Sequence, residues 1–415
     1  MDNLTHSVAG LAVGELVHRS LRQETDSDHQ KTRHRLLLVT CWAASSFPDL
    51  DLVLTSLLPA PLGYLLHHRG HTHTLLYAIP QALFLWALIW VLWPAARRLL
   101  KESASARSGF LLAGIIGFTL HMLMDYLNSY GIHPFHPFDS RWLYGDMVFI
   151  IEPMFWILLG VPLAMMVPSV LLRALILVSL VGAQVFFSLK GFLAPGSLAV
   201  LIAAAVLLAV LQHKAGPSSR RGLFVALMLS VGFVGVQGAA SRHGSNVIAA
   251  TLHKLDPDSR VLDSAMTSFP TNPLCWSFVS VESNEGAGTY RLRRGILSIA
   301  PRVVPASGCP ATLAEHVQQD ATSPAIAFVL EEQGSLAQLR RLKDENCHFA
   351  AWMRFARAPS VTENEASDIR FRSTLRKNFT TITFAEFSDR ECPQQVPQWD
   401  FPRSDLLTPQ GSASH

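Results

Sequence analysis

The stretch GFLLAGIIGFTLHMLMDYL, residues 109–127, is an apolar run that carries two ionisable side chains, His121 and Asp125, near its end. A helix of about 20 such residues crosses the ~30 Å hydrocarbon core of a bilayer. Within that core an ionisable side chain is costly unless it is paired, ligated or hydrated. The stretch therefore predicts a membrane-spanning helix whose His121 and Asp125 have partners elsewhere in the chain.

Further apolar runs of spanning length fill most of the first 240 residues: 75–93, 147–167, 170–189, 193–212 and 222–240. Two shorter segments precede them, residues 4–17 and 36–47, and we expect these to form a re-entrant or partly submerged pair. Charge follows the same division, because about 12% of residues 1–241 are charged against about 21% of residues 242–415. The sequence therefore predicts an α-helical polytopic membrane domain followed by a soluble α+β C-terminal domain.

The composition of the whole chain excludes several classes of protein. With 49% hydrophobic residues, 16% charged residues and a mean hydropathy of +0.27, the 415-residue chain is too apolar for a single soluble globule or a disordered protein. The net charge is only +3, without a dense stripe of Lys and Arg, so a polybasic nucleic-acid-binding protein is excluded as well.

Basic residues between the apolar runs predict the orientation, since short loops rich in Lys and Arg stay in the cytoplasm. Three basic loops occur, and the topology alternates without conflict when all three lie inside. Their residues are Arg19, Arg22, Lys31, Arg33 and Arg35 in the first, Arg97, Arg98, Lys101 and Arg107 in the second, and Lys214, Arg220 and Arg221 in the third. Residues 48–74, residues 128–146 and everything after Ala240 are then expected outside.

The pattern divides the chain into four expected units. Residues 1–168 form a membrane-embedded domain, residues 169–241 additional transmembrane helices, residues 242–402 an extracytoplasmic α+β domain, and residues 403–415 a disordered tail. Four cysteines fall in the outer domain, Cys275, Cys309, Cys347 and Cys392. An even count in an oxidising compartment permits two disulfides. Free buried thiols fit nearly as well, and the pairing cannot be read from the sequence.

Five polar clusters interrupt the apolar half. His121 and Asp125 are four residues apart on one predicted helix, so their side chains share a face and either bind one metal ion or form a hydrogen bond within the helix. The other clusters are Thr5-His6, Pro48-Asp49-Leu50-Asp51, the histidine-rich residues 67–73, and the pair Asp146 and Glu152. Taken singly, each has a structural alternative: a cap or core role for His6, a helix end for Asp49 and Asp51, and a solvated loop for residues 67–73.

Their joint position favours a metal site. In the topology set by Lys and Arg alone, eight ionisable side chains lie at the outer boundary of the membrane that the helices span: Asp49, Asp51, His68, His71, His73, Asp125, Asp146 and Glu152. His121 lies one turn deeper in the membrane, and His6 lies at the outer end of the first helix. Histidines and carboxylates in an apolar wall are the ligands of a mixed N/O divalent-metal site. One or two zinc ions suit the set, with manganese as the alternative. Such a site activates water for hydrolysis near neutral pH.

Other side chains in these clusters have candidate roles around the metal. Asp49 or Asp51, if left unligated, would serve as general base. Arg69 would either hold a phosphate or carboxylate group of the substrate through its planar fork or anchor to lipid head groups. Asp51, Arg69 and Glu152 are therefore the candidate catalytic residues.

The ordered motifs resemble a known family. They are Thr5-His6-x3-Gly10, Pro48-Asp49-Leu50-Asp51, His68-Arg69-Gly70-x-Thr72-His73, His121-x3-Asp125, Tyr130-Gly131 and Asp146-x5-Glu152-Pro153. Over about residues 1–160 this set is similar to the membrane-bound metal-dependent hydrolases of the YdjM type, LexA-regulated in some members. The resemblance implies a bacterial inner-membrane protein. Glu152 stands where the family usually has Asp, and Thr74 follows His73 where Ser is common.

The order of histidines and aspartates is also similar to that of zinc-dependent phospholipase C. That analogy implies metal-ligand roles for His6, Asp49 or Asp51, His68 or His73, His121 and Asp125. The candidate metal ligands are accordingly His6, Asp49, His68, His73, His121 and Asp125. The leading interpretation is a metal-dependent hydrolase at the outer membrane face that cleaves a lipid-linked phosphoester. The alternatives are a transporter or metal-binding membrane protein without hydrolytic activity, and a membrane anchor that displays the outer domain. Partners are the lipid bilayer and a lipid substrate, without nucleic acid.

Overall fold

The computed structural model describes residues 1–310, 320–321, 323–371 and 377–408. Helices dominate its first 255 residues. They are α1 (Asn3–Ser20), α2 (Ser27–Ala44), α3 (Leu62–His67), α4 (Leu75–Leu92), α5 (Pro94–Glu102), α6 (Ala104–Tyr126), α7 (Pro153–Met165), α8 (Val170–Leu189), α9 (Pro195–Ala215) and α10 (Arg221–Leu255). Two 3-10 segments, Phe47–Leu57 and His71–His73, lie between α2 and α4.

Within the described part of the chain, six helical segments are long and apolar enough to cross a membrane: Ser27–Leu57, Leu75–Leu92, Ala104–Tyr126, Val170–Leu189, Pro195–Ala215 and Arg221–Leu255. The span predicted at residues 147–167 is wrong, because α7 has only 13 residues. Its start is fixed by Pro153 in the first turn and by the Glu152 carboxylate, which caps the backbone N–H of Met154. The preceding residues instead bond to the end of α6, where the N–H of Met147 donates to the Leu127 carbonyl at 2.8 Å.

Helices α1, α2 and α6 pack closely through glycines. A Cβ added at Gly10 of α1 would lie 2.9 Å from the Cys41 carbonyl oxygen of α2, and one added at Gly117 of α6 would meet the same oxygen at 2.9 Å. Small residues allow helix backbones to approach one another in this way. The contact brings the beginning of α1 and the ends of α2 and α6 together at one end of the bundle.

The three basic loops lie together at the opposite end. The Arg33 guanidinium donates to the Ser105 hydroxyl at 2.8 Å, and that of Arg220 donates to the Ser20 hydroxyl at 3.0 Å. These bonds join the loop between α1 and α2 to the loops before α6 and before α10. The basic residues thus occupy one end of the bundle, as the predicted topology requires.

The C-terminal part is an α+β domain. Its elements are β1 (Arg260–Phe269), β2 (Asn272–Asn284), β3 (Thr289–Ser298), β4 (Asp320–Ala321), β5 (Ile326–Ser335), α11 (Leu336–Glu345), α12 (Cys347–Met353), β6 (Pro359–Val361), β7 (Glu365–Asp368), β8 (Ile382–Thr383) and α13 (Ser404–Leu407). The strands form two antiparallel sheets, ordered β1-β2-β3-β5-β4 and β6-β7-β8. The predicted fold class, a helical membrane domain followed by an α+β domain, is confirmed.

The α+β domain keeps the name outer domain here, which refers only to the side of the membrane predicted for it, and it contains two disulfides. Disulfides join Cys275 to Cys309 and Cys347 to Cys392.

The boundary predicted after residue 241 falls inside α10, because this helix continues to Leu255 and packs Leu252 against the first sheet. The tail predicted to be disordered from residue 403 begins with α13, where Leu406 is fully buried. Residues 409–415 of that tail lie outside the described residues.

The two halves share one hydrophobic core. Leu62 and Leu66 of α3 and Tyr130 after α6 belong to the same buried cluster as Phe349 and Trp352 of α12. A buried ion pair adds to this contact, because Arg357 of the outer domain bonds both Asp146 of the membrane half, at 2.7 Å, and Asp263 of β1, at 2.6 Å. The outer domain therefore sits directly on the end of the helical bundle where α1 begins and where α2 and α6 end.

Candidate metal centre

Four ionisable side chains converge where those helix ends meet. Asp49 lies in the 3-10 segment that follows α2, His73 precedes α4, and His121 and Asp125 lie in the last turns of α6. One ligand atom from each residue lies within 4.8 Å of all the others, and the histidines and Asp125 are fully buried. Every member of this four-residue cluster was among the metal ligands predicted from the sequence.

The distances within the cluster suit a shared cation. The Nε2 atoms of His73 and His121 are 2.9 Å apart. Asp125 Oδ2 lies 3.0 Å from His73 Nε2 and 3.4 Å from His121 Nε2, and Asp49 Oδ1 lies 3.4 Å from His73 Nε2. Ligands of one zinc ion, each at about 2.0–2.2 Å from the metal, are separated by similar distances.

The tautomer of His121 is set by its other nitrogen. His121 Nδ1 lies 2.8 Å from the backbone carbonyl oxygen of Ser45, which only accepts, so Nδ1 carries the proton and Nε2 presents a lone pair. His73 Nδ1 faces another acceptor, Asp51 Oδ2, at 3.3 Å. Two Nε2 lone pairs that face each other across 2.9 Å repel unless a proton or a cation lies between them. The donor set therefore fits a divalent metal ion.

Asp51 organises the loop that carries His73. Its carboxylate accepts the backbone N–H of Arg69 at 2.9 Å and the hydroxyl of Thr72 at 2.7 Å, and it lies 2.9 Å from His68 Nδ1. A carboxylate behind a ligating histidine usually fixes the orientation of the ring. Asp51 thus lies behind His73 with its oxygens already bonded, which favours a positioning role for it and leaves Asp49 as the other candidate general base predicted from the sequence.

His68 and His6 lie beside the cluster rather than within it. His68 bonds to Asp51 and stacks on Tyr64, with ring centroids 4.9 Å apart. His6 stacks on His121 with centroids 4.1 Å apart, and its Nε2 lies 3.4 Å from Asp125 Oδ1. Both ring nitrogens of His6 are buried without a hydrogen-bond partner, so His6 is a candidate fifth ligand.

Arg69 neutralises the innermost carboxylate. Its Nη2 lies 2.9 Å from Asp125 Oδ1, its Nη1 donates to Asn128 Oδ1 at 2.9 Å, and its guanidinium lies over the Tyr130 ring. Arg69 adopts a positive φ of 58°, which its backbone bond to Asp51 helps to hold. The amino group of Met1 also contacts Asp125.

Glu152 is not in the cluster. Its fully buried carboxylate accepts the backbone N–H of Thr271 at 3.0 Å, the Thr271 hydroxyl at 2.7 Å and the N–H of Met154 at 3.2 Å. Burial raises the pKa of Glu152 to about 7, although these hydrogen bonds act in the opposite direction. Glu152 therefore attaches the β1–β2 turn to the membrane half, which favours a docking role over the catalytic role predicted for it.

A C-terminal tryptophan covers the loop that precedes His73. Trp399 is fully buried, donates its Nε1–H to the Leu66 carbonyl at 3.0 Å and stacks on His133 with centroids 4.0 Å apart. A Cβ added at Gly70 would lie 3.2 Å from the Trp399 ring and 3.0 Å from the carbonyl oxygens of Leu66 and His67. Glycine at position 70 thus lets Trp399 close against the loop.

A pocket of about 280 Å³ opens beside the cluster, lined by Met1, Asp2, Asn3, Asp49, Leu52, Tyr64, His68, Arg69, Tyr130 and Ile150. It gives access to Asp49, the most exposed member of the cluster. On the 3-10 segment that carries Asp49, the aspartates point inward while Leu50 and Val53 are 58% and 75% exposed. These exposed apolar side chains flank Leu52 of the same segment, which lines the access pocket.

Several contributors to the site were missed by sequence reasoning. Ser45 acts through its backbone carbonyl, which has no side-chain signature. Thr271 and Trp399 are far away in the sequence, in a domain that showed no motif for this chemistry. Of these residues, Asn128 was the one that the sequence could have indicated. It follows the His121-x3-Asp125 motif by three positions, just after the end of α6.

Comparisons with known proteins agree with the motif resemblance. The model of the YdjM inner membrane protein family matches residues 1–193. The uncharacterized protein YfhP of Bacillus subtilis (strain 168) is 31% identical over 157 residues, which are 38% of this chain and 43% of that protein. The chain thus covers less than half the length of this relative. No solved structure matches. Residues 1–193, which hold the whole four-residue cluster, are thus similar to the YdjM inner membrane protein family.

Proposed function

We propose that this protein is a metal-dependent hydrolase whose centre is the four-residue cluster of Asp49, His73, His121 and Asp125. The observation that carries the proposal is the distance of 2.9 Å between the Nε2 atoms of His73 and His121. In each ring the other nitrogen, Nδ1, faces a hydrogen-bond acceptor, so both Nε2 atoms present lone pairs to the cluster. Zinc suits two imidazoles and two carboxylates, and manganese is the alternative. A divalent cation held there would lower the pKa of a water molecule and polarise a phosphoryl oxygen.

The residues around the cluster would orient the water molecule and the substrate and would supply a positive charge for a phosphoryl group. Asp49 is the one cluster carboxylate that also lines the access pocket, so it is placed to accept a proton from a water molecule there. Arg69 lines the same pocket, and its Nε has no hydrogen-bond partner. This guanidinium would hold an oxygen of a phosphoryl group while its Nη2 remains paired with Asp125. Asp51 and Ser45 keep the two imidazoles oriented.

The proposed substrate is a lipid-linked phosphoester. Leu52 and Ile150 line the access pocket and are 45% and 39% exposed, next to the exposed Leu50 and Val53. In a bilayer this rim would face acyl chains rather than water. A lipid could then enter sideways, with its phosphate at the level of the cluster.

The proposed location of the site is the outer face of the bacterial inner membrane. Two observations support it. The three basic loops gather at the end of the bundle away from the cluster, and such loops remain cytoplasmic. The domain that covers the cluster contains two disulfides, which form and persist in oxidising compartments.

Metal content of the detergent-purified full-length protein tests the centre. We expect one divalent ion per chain by plasma mass spectrometry, and its loss in His121→Ala and Asp125→Ala. His136→Ala is the matched control, since His136 lies in an outer loop and is not a cluster residue. Stoichiometric metal that persists in both cluster variants would rule out the centre as described.

Activity is tested on the same preparations with bis(p-nitrophenyl) phosphate, p-nitrophenyl acetate and short-chain phospholipids in mixed micelles. We expect phosphodiester or phospholipid hydrolysis that disappears with a chelator and returns with zinc or manganese. Hydrolysis that survives metal removal would contradict the mechanism. Bound metal without cleavage of any of these substrates would favour a metal-binding or transport protein instead.

A further inference from the structure

A groove of about 410 Å³ lies between the last turn of α4, the short helix α5 and the first turns of α6. This α4–α6 groove is lined by Trp90, Leu100, Lys101, Arg107, Phe110 and Leu111. Phe110 and His121 lie on one helix, about 16 Å apart along its axis. The groove is therefore separate from the candidate metal centre and lies at the end of the bundle that carries the basic loops.

Helix α5, which borders the groove, has one apolar and one charged face. Its residues Ala96, Leu99 and Leu100 are buried, while Arg98 and Lys101 are exposed. The helix joins α4 to α6, and both of these are long and apolar enough to cross a membrane. In a bilayer the charged face of α5 would therefore lie at the level of the lipid head groups.

The wall of the α4–α6 groove is apolar and open to the surrounding membrane. Trp90 and Leu111 line it from two different helices and are 40% and 46% exposed. Their neighbours Leu92 and Leu112 are 70% and 45% exposed. In a bilayer such side chains face acyl chains, and tryptophan is common where acyl chains meet head groups. The groove can thus hold an acyl chain whose head group lies beside Lys101.

Two basic side chains line the α4–α6 groove, and no carboxylate is among the described residues of its lining. The Lys101 ammonium lies 5.9 Å from the centre of the Trp90 ring. Arg107 Nη1 donates to the Leu100 carbonyl oxygen at 2.9 Å, which holds the guanidinium beside the end of α5. The two cations therefore border one apolar space.

Neither cation is neutralised by the protein. Within the described part of the chain, no carboxylate forms an ion pair with Lys101 or Arg107. Glu102, which follows Lys101 in the sequence, pairs with His29 at 3.3 Å. Basic pockets between membrane-spanning helices bind the head groups of anionic lipids, and each basic residue contributes about fivefold to binding. The charge of the α4–α6 groove thus matches an anionic lipid.

We propose that the α4–α6 groove binds one anionic phospholipid, with its phosphate between Lys101 and Arg107 and an acyl chain along Trp90, Phe110 and Leu111. In the proposed topology this lipid belongs to the inner leaflet, so it is not the substrate of the proposed hydrolase. The bound lipid joins α4 to α6, the two helices that adjoin the four-residue cluster at their other ends. The second basic loop thereby has a ligand in addition to its part in setting the topology.

Quenching of tryptophan fluorescence tests this site in the full-length protein reconstituted in vesicles. The probes are phosphatidylglycerol and phosphatidylcholine with brominated acyl chains, each added at the same low fraction to unbrominated phosphatidylcholine. Bromine quenches tryptophan only at close range, and the signal of Trp90 is the difference between a protein and the same protein with Trp90→Phe. We expect the affinity at Trp90 to be about tenfold higher for phosphatidylglycerol than for phosphatidylcholine, since two basic residues contribute.

Substitutions of Lys101 test whether this preference comes from the groove. Lys101→Gln should reduce it about fivefold, and Lys101→Glu should abolish it. Both change an exposed side chain, so the packing of α5 is preserved. Arg98→Gln is the matched control, because it removes the same charge from the same helix outside the lining of the groove, and it should stay within about twofold of the wild type.

Three results would overturn the proposal. They are equal quenching of Trp90 by the two lipids in the wild type, a preference that survives Lys101→Glu, and an equal loss of preference in Arg98→Gln and Lys101→Gln. The last result would mean that the basic surface attracts anionic lipids in general, without a site in the groove.

Failure of this inference can be told apart from failure of the proposed function. The lipid preference of Trp90 needs neither turnover nor metal, so a chelator should leave it unchanged. A lipid preference in a protein that hydrolyses nothing would refute the hydrolase and leave the α4–α6 site standing. Metal binding by a protein whose Trp90 shows no lipid preference would refute the α4–α6 site alone.

Discussion

At the scale of single residues, the cluster depends on side chains that do not themselves contact a metal. Asp51 bonds the backbone of Arg69, the hydroxyl of Thr72 and His68, and it faces the outer nitrogen of His73. These contacts hold the loop in the one conformation that directs His73 Nε2 at His121. If the cluster holds a metal ion as proposed, its affinity should therefore depend both on the four cluster residues and on Asp51 behind them.

Asp51→Asn separates these roles. The amide keeps the shape of the carboxylate but loses its charge and one acceptor, so His73 should be held less firmly. Replacing such outer partners typically costs ten- to a hundredfold in metal affinity. We expect a loss of about this size in competition titrations with a fluorescent chelator. Metal affinity as low as that of Asp125→Ala would instead make Asp51 a direct ligand.

The helical spacing of His121 and Asp125 was enough to predict that their side chains share one face of a helix. The predicted topology was enough to place Asp49 and His73 at the same level of the membrane. The separate roles of Asp49 and Asp51 were not predictable. They depend on a 3-10 segment after Pro48, in which one aspartate faces the cluster and the other faces the histidine loop. The contact of Glu152 with Thr271 was not predictable either, because Thr271 is 119 residues away in the chain.

At the scale of secondary-structure elements, the turn between β1 and β2 is attached to the start of α7 by Glu152. The carboxyl group has a pKa of about 7 in the folded protein against an ordinary value of 4.5. Between these values the folded state binds more protons than the unfolded state, so this group makes the free energy of unfolding fall as the pH rises. The contribution is largest below pH 4.5 and is lost as the pH passes 7.

Glu152→Gln should remove this dependence, since the amide oxygen can still accept from Thr271. We expect the melting temperature of the variant, relative to the wild type, to rise between pH 5 and pH 8. The full effect is on the order of 3 kcal/mol. Differential scanning fluorimetry in detergent measures it, with the exposed Glu386→Gln as control. A constant difference across this range would mean that Glu152 is ionised throughout.

Element boundaries show what an apolar pattern can and cannot predict. The runs that became α4, α6, α8, α9 and α10 were recognised because each stays apolar over the length of a membrane span, even across Pro80 inside α4. Residues 147–152 are equally apolar, but they bond to Leu127 and carry the carboxylate that caps α7. Conversely, Pro48 was taken as a stop, although proline is well tolerated in the first turn of a helical segment.

At the scale of the whole molecule, the proposed topology predicts opposite sides for the basic loops and the outer domain. Alkaline phosphatase fused to the C-terminal end of the full chain should be active in cells, and green fluorescent protein fused there should be dark. Fusions at Ser103, beside the second basic loop, should give the reverse result. Fluorescence at the C-terminal end would place the disulfide-containing domain in the cytoplasm and overturn the orientation.

The division of the chain into two halves was readable from charge density alone, but the attachment of one half to the other was not. Arg357 joins Asp146 to Asp263, and Trp399 reaches Leu66, through contacts between residues that no local pattern connects. The outer domain, which showed no chemistry in the sequence, thereby covers the loop of the cluster.

Trp399 contacts the backbone of Leu66 across 333 residues of chain, and this separation sets an order of events during biosynthesis. The four cluster residues have all been made by the time α6 is complete, whereas the tryptophan that covers their loop is made near the end of synthesis and, in the proposed topology, must follow its domain across the bilayer. In that topology a newly inserted bundle would pass through an open stage, with the loop of the cluster uncovered, before the C-terminal domain folds against it.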